Sequence, residues 1–342
     1  MKSSVFKFTL AIAAILLHAS CSSQIPRTDP KSETYRQQMA QRASTALLTA
    51  RSLPVPASAE ITAWLLQENF EEIEKRSRYY EEQTSKNPLY ESPLFNLYES
   101  LDPYDGNLQK KLDKWVQERP SHVSCAMRGI YKAGQGWLIR GDKFVKDTPP
   151  ENFEGMHLFH EEAKRDLLEA VKRNKKLAPA YSALIAIEMA SGNIEGATSI
   201  HDRSVRSIPQ TYYVRHAYLG ALRPKWGGSF ELMQEYADGL DKAAQKNPRI
   251  WSLKGEPAAE RGQVAWHDSD YVSAIQHFTE ALSYGDRLTF LKYRGRLYML
   301  ANQDSLALED FLRYKKYEDA DKVVNAYVIS LTAKLGLNPP QK

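Results

Sequence analysis

The chain has 342 residues, 42% hydrophobic and 26% charged, a balance that suits one large globular domain or two modest ones. Its formal charge of +4 is too small for a nucleic-acid-binding protein, which concentrates basic residues on one face. Glycine and proline, at 17 each, exclude a collagen-like or wholly disordered chain.

The first twenty residues stand apart. Lys2 and Lys7 make a positive start, and Leu10 to Leu17 is an unbroken apolar run. This layout predicts a secretory signal peptide over 1–20, too short to persist as a membrane-spanning helix. Leu17-His18-Ala19-Ser20-Cys21 then resembles the bacterial lipobox, with His18 where that motif usually has Leu. The resemblance implies lipidation of Cys21 as the new N-terminus. The alternative is ordinary cleavage near Ala19 or Ser20. Under the sorting rule of enteric lipoproteins, Ser22 after the cysteine implies an outer-membrane anchor facing the periplasm. Removal of both lysines leaves a mature charge of +2. The second cysteine, Cys125, is expected to be a small buried residue, without a disulfide and without a nucleophilic role.

Residues 22–35 are polar, carry Pro26 and Pro30, and predict a tether. A first helix is expected over about 36–52, ended by Leu53-Pro54-Val55-Pro56, so 21–57 is read as tether plus first helix. From Ser58, a plausible N-cap, apolar residues recur at helical spacing. Ile61, Trp64 and Leu65 come first. Phe70, Ile73 and Tyr80 follow after a cap at Asn69, and Leu167, Leu168 and Val171 later. Glu71-Glu72-Ile73-Glu74-Lys75-Arg76 reads as a solvated face. Ser229 is expected to cap one helix with Phe230, Met233, Ala237, Leu240 and Ala244 on a single face. No alternating β-branched runs bounded by hairpin signals occur, so the fold class is all-α.

Near the C-terminus the chain repeats itself. Gly262, Ala274 and Phe278 are matched 33 residues later by Gly295, Ala307 and Phe311. A fixed period of this size marks stacked helix pairs. Small residues on both helices of a pair let the backbones approach, and the aromatic fills the space beside them. These residues resemble the tetratricopeptide repeat, as does Tyr298. Ala258 and Leu291 depart from that family's Trp, Asp286 and Asp319 from its Pro, and Tyr314 from a small residue. A weaker third unit runs through Ala197 and Pro209. Val324, Val328, Leu331 and Leu335 predict a capping helix over 319–335, ended by Gly336. The expected architecture is an α-solenoid of antiparallel helix pairs, with a helical domain over 58–254 and two repeats plus cap over 255–335.

The middle of the chain carries Leu112-Asp113-Lys114-Trp115-Val116, Pro120-Ser121, Gly136-Trp137-Leu138-Ile139-Arg140-Gly141 and Lys225-Trp226-Gly227-Gly228-Ser229. These segments resemble the bacterial domain-of-unknown-function 4034 family over about 60–240. The resemblance implies a helical domain and no particular reaction.

Catalytic motifs are sparse. His157 and His160, with Glu161 or Glu162, form the best metal candidate, but a closed site needs more ligands, and no metal or other cofactor is expected. In His267-Asp268-Ser269-Asp270 an aspartate is expected to cap a helix. Gly134-Gln135-Gly136 lacks the strand and third glycine of a dinucleotide loop. Gly227 and Gly228 are expected to form a tight turn seating Trp226, in preference to an anion site.

The chain is therefore expected to be a membrane-tethered scaffold in the bacterial envelope that binds a protein or peptide, and not an enzyme. The alternative is an enzyme or small-molecule binder with a site in the middle domain. In tetratricopeptide arrays the first helix of each pair lines the concave face. That resemblance assigns a groove to Gln263 and Trp266 of one pair and Lys292, Arg296 and Met299 of the next. Two cations with flexible apolar contacts would suit an acidic or C-terminal carboxylate ligand.

Overall fold

A computed structural model describes residues 32–143 and 145–337. The signal peptide, Cys21 and most of the tether lie outside the described residues. The described chain is all-α, with no strand. Its α-helices are α1 (Glu33–Ser52), α2 (Ser58–Leu66), α3 (Phe70–Lys86), α4 (Glu91–Tyr98), α5 (Asn107–Glu118) and α6 (His122–Arg140). Then come α7 (Pro150–Arg173), α8 (Ala178–Ala190), α9 (Ile194–Ser207), α10 (Tyr213–Ala221), α11 (Phe230–Asp238) and α12 (Asp241–Lys246). The last five are α13 (Glu256–His267), α14 (Tyr271–Leu282), α15 (Leu288–Leu300), α16 (Asp304–Lys315) and α17 (Lys322–Lys334). No helix among the described residues is long and apolar enough to cross a membrane.

The repeat character shows most clearly in the turns. The pairs α2–α3, α8–α9, α13–α14 and α15–α16 are joined by one geometry. Each has a left-handed residue two before the second helix: Glu68, Gly192, Ser269 and Asn302, with φ of 60°, 66°, 64° and 56°. The next residue, Asn69, Asn193, Asp270 or Gln303, donates its N–H to the carbonyl five positions back, at 2.8–2.9 Å. This closure satisfies carbonyls orphaned at a helix end and reverses the chain within three residues. Ser269 and Asn302 are themselves 33 residues apart. The α8–α9 pair contains Ala197, fully buried, and α9 stops just before Pro209.

Buried apolar side chains fall into two clusters, one from Met39 to Leu253 and one from Ala258 to Leu331. In the first, Phe70 stacks on fully buried Trp115 at 5.2 Å. Burying each such ring contributes about 2–3 kcal/mol through area removed from water. In the second, a Cβ on Gly262 would stand 3.1 Å from Phe278, and one on Gly295 2.8 Å from Phe311. Both glycines therefore sit where paired helices touch. Gly295→Leu is expected to lower stability by about 1–3 kcal/mol through overpacking, read from the urea midpoint. An unchanged midpoint would contradict the contact. Ala274 and Ala307 are fully buried in the facing helices. Ala258 and Leu291, at the repeat family's Trp position, are also buried. Asp286, at its Pro position, is 4% exposed and takes the Arg313 guanidinium and the Tyr317 hydroxyl.

α17 closes the array. Asp321 caps it by accepting from Val323 and Val324, and Val324, Val328 and Leu331 are buried. Gly336 ends it at φ 65°.

Several local expectations change. Helix α1 begins three residues early, at Glu33, because Ser32 accepts from Tyr35 and caps it. It is no mere extension of a tether: Met39 and Ala43 enter the first cluster, Ser44 accepts from the Asp286 N–H, and Arg51 donates to the Tyr317 carbonyl at 2.8 Å. Ser58 is the first helical residue of α2, with Ala57 at the cap position. Asn69 stands at its cap position without a side-chain bond. Leu168 is 42% exposed and Trp64 only half-buried. The stripe from Phe230 to Ala244 is split between α11 and α12. Gly239, a poor helix former, shares its N–H between Glu235 and Tyr236, and the next bond tightens to Leu240 N–H to Ala237 O. Met233, Ala237, Leu240 and Ala244 still face the core. Ser229 does cap α11, accepting from Leu232.

Candidate functional site

The repeat face assembles three of the five groove residues. Gln263 and Trp266 project from α13 and Arg296 from α15, and with His267 and Tyr293 they line an open pocket of about 390 Å³. Trp266 meets Tyr293 edge-on at 5.3 Å, and Tyr293 in turn rests on Phe278 at 5.7 Å. The tyrosine, anchored in the second core, holds the indole upright. The Arg296 guanidinium lies 5.1 Å from the Trp266 ring, is exposed, and has no carboxylate partner among the described residues. A cation over an indole face keeps its hydrogen-bonding edge free for an incoming anion.

The other two residues go elsewhere. Lys292 reaches Asp321 at 2.9 Å, so its charge is used to hold the residue that caps α17. That cation, with hydrogen bonds from Val324 and Tyr314, holds the Asp321 carboxyl well below the usual range. Met299 packs against the second core cluster and does not line the pocket. Among the described residues the groove therefore offers one cation without a carboxylate partner and an aromatic pair, in place of two cations and a methionine. The 33-residue period placed Lys292 correctly on its helix but carried no sign of its partner 29 residues on.

The histidine pair does not form a metal site. His157 is exposed, while His160 is 1% exposed and lies edge-on to Trp137 at 5.6 Å. Burial pushes the His160 imidazole down, toward the neutral form. Among the described residues no three His, Cys, Asp or Glu side chains are grouped to hold a metal. Gly134 and Gly136 lie inside α6. A Cβ at Gly136 would come within 2.6 Å of the His160 ring, so these glycines serve helix packing. Cys125 is 3% exposed, and burial pushes its thiol up, away from the nucleophilic thiolate. Asp270 caps α14 by accepting from Ser273.

Two further features lie in the middle domain. A cleft of about 350 Å³ opens beside Glu81, Glu91, Asn174 and Thr211. Glu81 there accepts from Ser77 at 2.7 Å and Asn174 at 3.0 Å, with His122 Nε2 at 2.9 Å, so its oxygens are already used. Glu91 is 1% exposed, accepts from Thr211 and the Tyr212 N–H, and is pushed up by burial. These side chains join α3, α4 and the α9–α10 connection, and their bonds read as structural. The second feature is a pocket between Trp137 and Trp226, considered below. No protein-family model matches the chain, and a search of curated proteins returned no match.

Proposed function

We propose that the chain is an exported, lipid-anchored helical scaffold of the bacterial envelope, whose terminal repeats hold an acidic or carboxylate-ended segment of a protein partner. In this reading α13–α16 are two tetratricopeptide repeats, and 60–240 is a member of the domain-of-unknown-function 4034 family. The observation that supports it is the Trp266–Tyr293–Arg296 cluster. It is an aromatic wall with one unneutralised guanidinium, carried on the first helices of adjacent pairs. Such a surface takes a carboxylate through charge-assisted hydrogen bonds and an apolar neighbour against the indole.

The test is calorimetric titration of the mature chain with short acidic peptides in paired forms, free carboxylate and C-terminal amide. At least one free-acid peptide is expected to bind more tightly than its amide and more weakly as salt rises. Arg296→Ala should weaken that binding about tenfold or more, since a hydrogen bond to a charged group contributes about 1.5–3 kcal/mol. Equal affinity in Arg296→Ala and Trp266→Ala, with unchanged melting, would eliminate this groove. The anchor has its own test. Cys21→Ser should move the exported protein from the membrane fraction to the soluble one, because anchoring rests on buried acyl chains. A wild-type protein already soluble after export would contradict lipidation.

A further inference from the structure

Two sequence segments that stand 89 positions apart meet in one pocket. Trp137, next to the C-terminus of α6, and Trp226, in the turn before α11, face each other edge-on at 5.9 Å. They line a pocket of about 330 Å³ together with Arg140, Phe153, Lys225 and Gly192. Among the described residues no acidic side chain lines it.

Each tryptophan is seated by a glycine whose place no other residue could take without displacement. Gly136, beside Trp137, leaves room for the His160 ring, which a Cβ would approach to 2.6 Å. Gly228, two after Trp226, lies so close to Leu222 that a Cβ would fall 2.0 Å from its carbonyl oxygen. Gly227 between them takes φ 92°, and the Trp226 and Gly228 N–H groups both donate to the Arg223 carbonyl, at 2.9 and 3.2 Å. The walls are thus fixed before any ligand arrives, which lowers the ordering cost of binding. Both indoles are only half-buried, unlike Trp115 and Trp251, which are at most 1% exposed in the core.

The cations at the rim are not neutralised. Lys225 is exposed and no carboxylate pairs with it among the described residues. Arg140 stands over the Phe153 ring at 5.7 Å and uses one nitrogen on the Gly141 and Lys143 carbonyls. Among the described residues nothing bonds its other guanidinium nitrogens, which can take an anion. Rigid ring faces flanked by two unpaired cations select a molecule that is flat and apolar in its body and anionic at one end. We propose that this pocket binds a small ring-bearing organic anion, the ring lying against Trp137 and Trp226 and the anionic group between Arg140 and Lys225. A volume of about 330 Å³ suits one ring and its charged substituent. An aromatic ring and a sugar ring share this chemistry.

The test uses the mature full-length chain and three probes, phenyl phosphate, glucose 1-phosphate and inorganic phosphate, titrated by calorimetry and tryptophan fluorescence. At least one ring phosphate is expected to bind at least tenfold more tightly than inorganic phosphate; which one does identifies the ring as aromatic or sugar. The double variant Arg140→Gln with Lys225→Gln should weaken that binding at least tenfold without changing the melting temperature, because both side chains sit at the rim. Trp226→Leu should weaken it and abolish the fluorescence change. Two results would overturn the proposal: ring phosphates no better than inorganic phosphate, or binding indifferent to the double variant.

Discussion

Glu256→Gln is expected to cost about 3–5 kcal/mol of folding stability, measured by urea unfolding, because it removes the buried carboxylate that pairs with buried Arg287 and with half-buried Arg223. Glu256 is 2% exposed and opens α13, between the last residue of one core cluster, Leu253, and the first of the other, Ala258. Its carboxylate lies 2.7 Å from Arg287 and 3.3 Å from Arg223. Arg287, 9% exposed, also donates to the Tyr212 hydroxyl at 2.6 Å, and Arg223 also meets Glu260 at 3.2 Å. The network thus joins the residues flanking α10, the start of α13 and the residue before α15. Burial opposes the charge on Glu256, but Arg287, then His216 at 3.4 Å and Arg223, outweigh it and hold its carboxyl well below the usual 4.5. The folded pKa is depressed, so this contribution is complete above about pH 4.5 and fades as pH falls toward the folded value. Glutamine keeps the shape and removes the charge, which isolates the electrostatic loss. A cost under about 1 kcal/mol would show the pairs to be solvated and weak.

Wild-type protein is expected to lose about 3 kcal/mol of stability between pH 6.5 and pH 4 through His201 alone. The ring is 5% exposed, stacked on Tyr218 at 4.2 Å, with Nε2 at 2.7 Å from the Tyr236 hydroxyl and Nδ1 at 3.0 Å from Asp202. Burial, ahead of the Arg215 charge, lowers it from 6.5 to about 4, against the opposing pull of Asp202. In this window the unfolded chain takes up a proton that the folded chain refuses, so acid favours unfolding at about 1.4 kcal/mol per pH unit. Stability is complete above pH 6.5. His201 stands four residues after Ala197, as Phe278 does after Ala274 and Phe311 after Ala307. His201→Phe therefore supplies the aromatic that the other two pairs use. It should flatten the difference between stability at pH 6.5 and pH 4 relative to wild type. An unchanged slope would assign the acid sensitivity to other groups.

What the sequence discloses follows from how local each feature is. The 33-residue period marks the helix pairs α13–α14 and α15–α16, because small residues and an aromatic at fixed spacing are required where helix backbones touch. The shared turn has no sequence signature. Its left-handed position is filled by Glu68, Gly192, Ser269 and Asn302, four residue types that tolerate the conformation at different cost, so no letter recurs. The Glu256 network joins residues from 212 to 287 and has no period at all. Lys292 and Arg296 look equivalent on a helical wheel, yet one is tied to Asp321 and the other is free, a difference set by where α17 docks. Gly136-Trp137 and Trp226-Gly227-Gly228 stand out as motifs, but that they face each other depends on how α6 packs on α7 and the turn before α11 on α9, which no local pattern encodes.

The claim that the terminal repeats hold a partner in their groove is tested most directly by photocrosslinking in intact producing cells. A photoreactive residue is placed at Arg296, and in a second strain at Val272, which is 69% exposed on α14. The account predicts one discrete protein adduct from position 296, lost when Trp266 is changed to Ala and absent from position 272. No adduct at 296, or the same adducts from both positions, would contradict it.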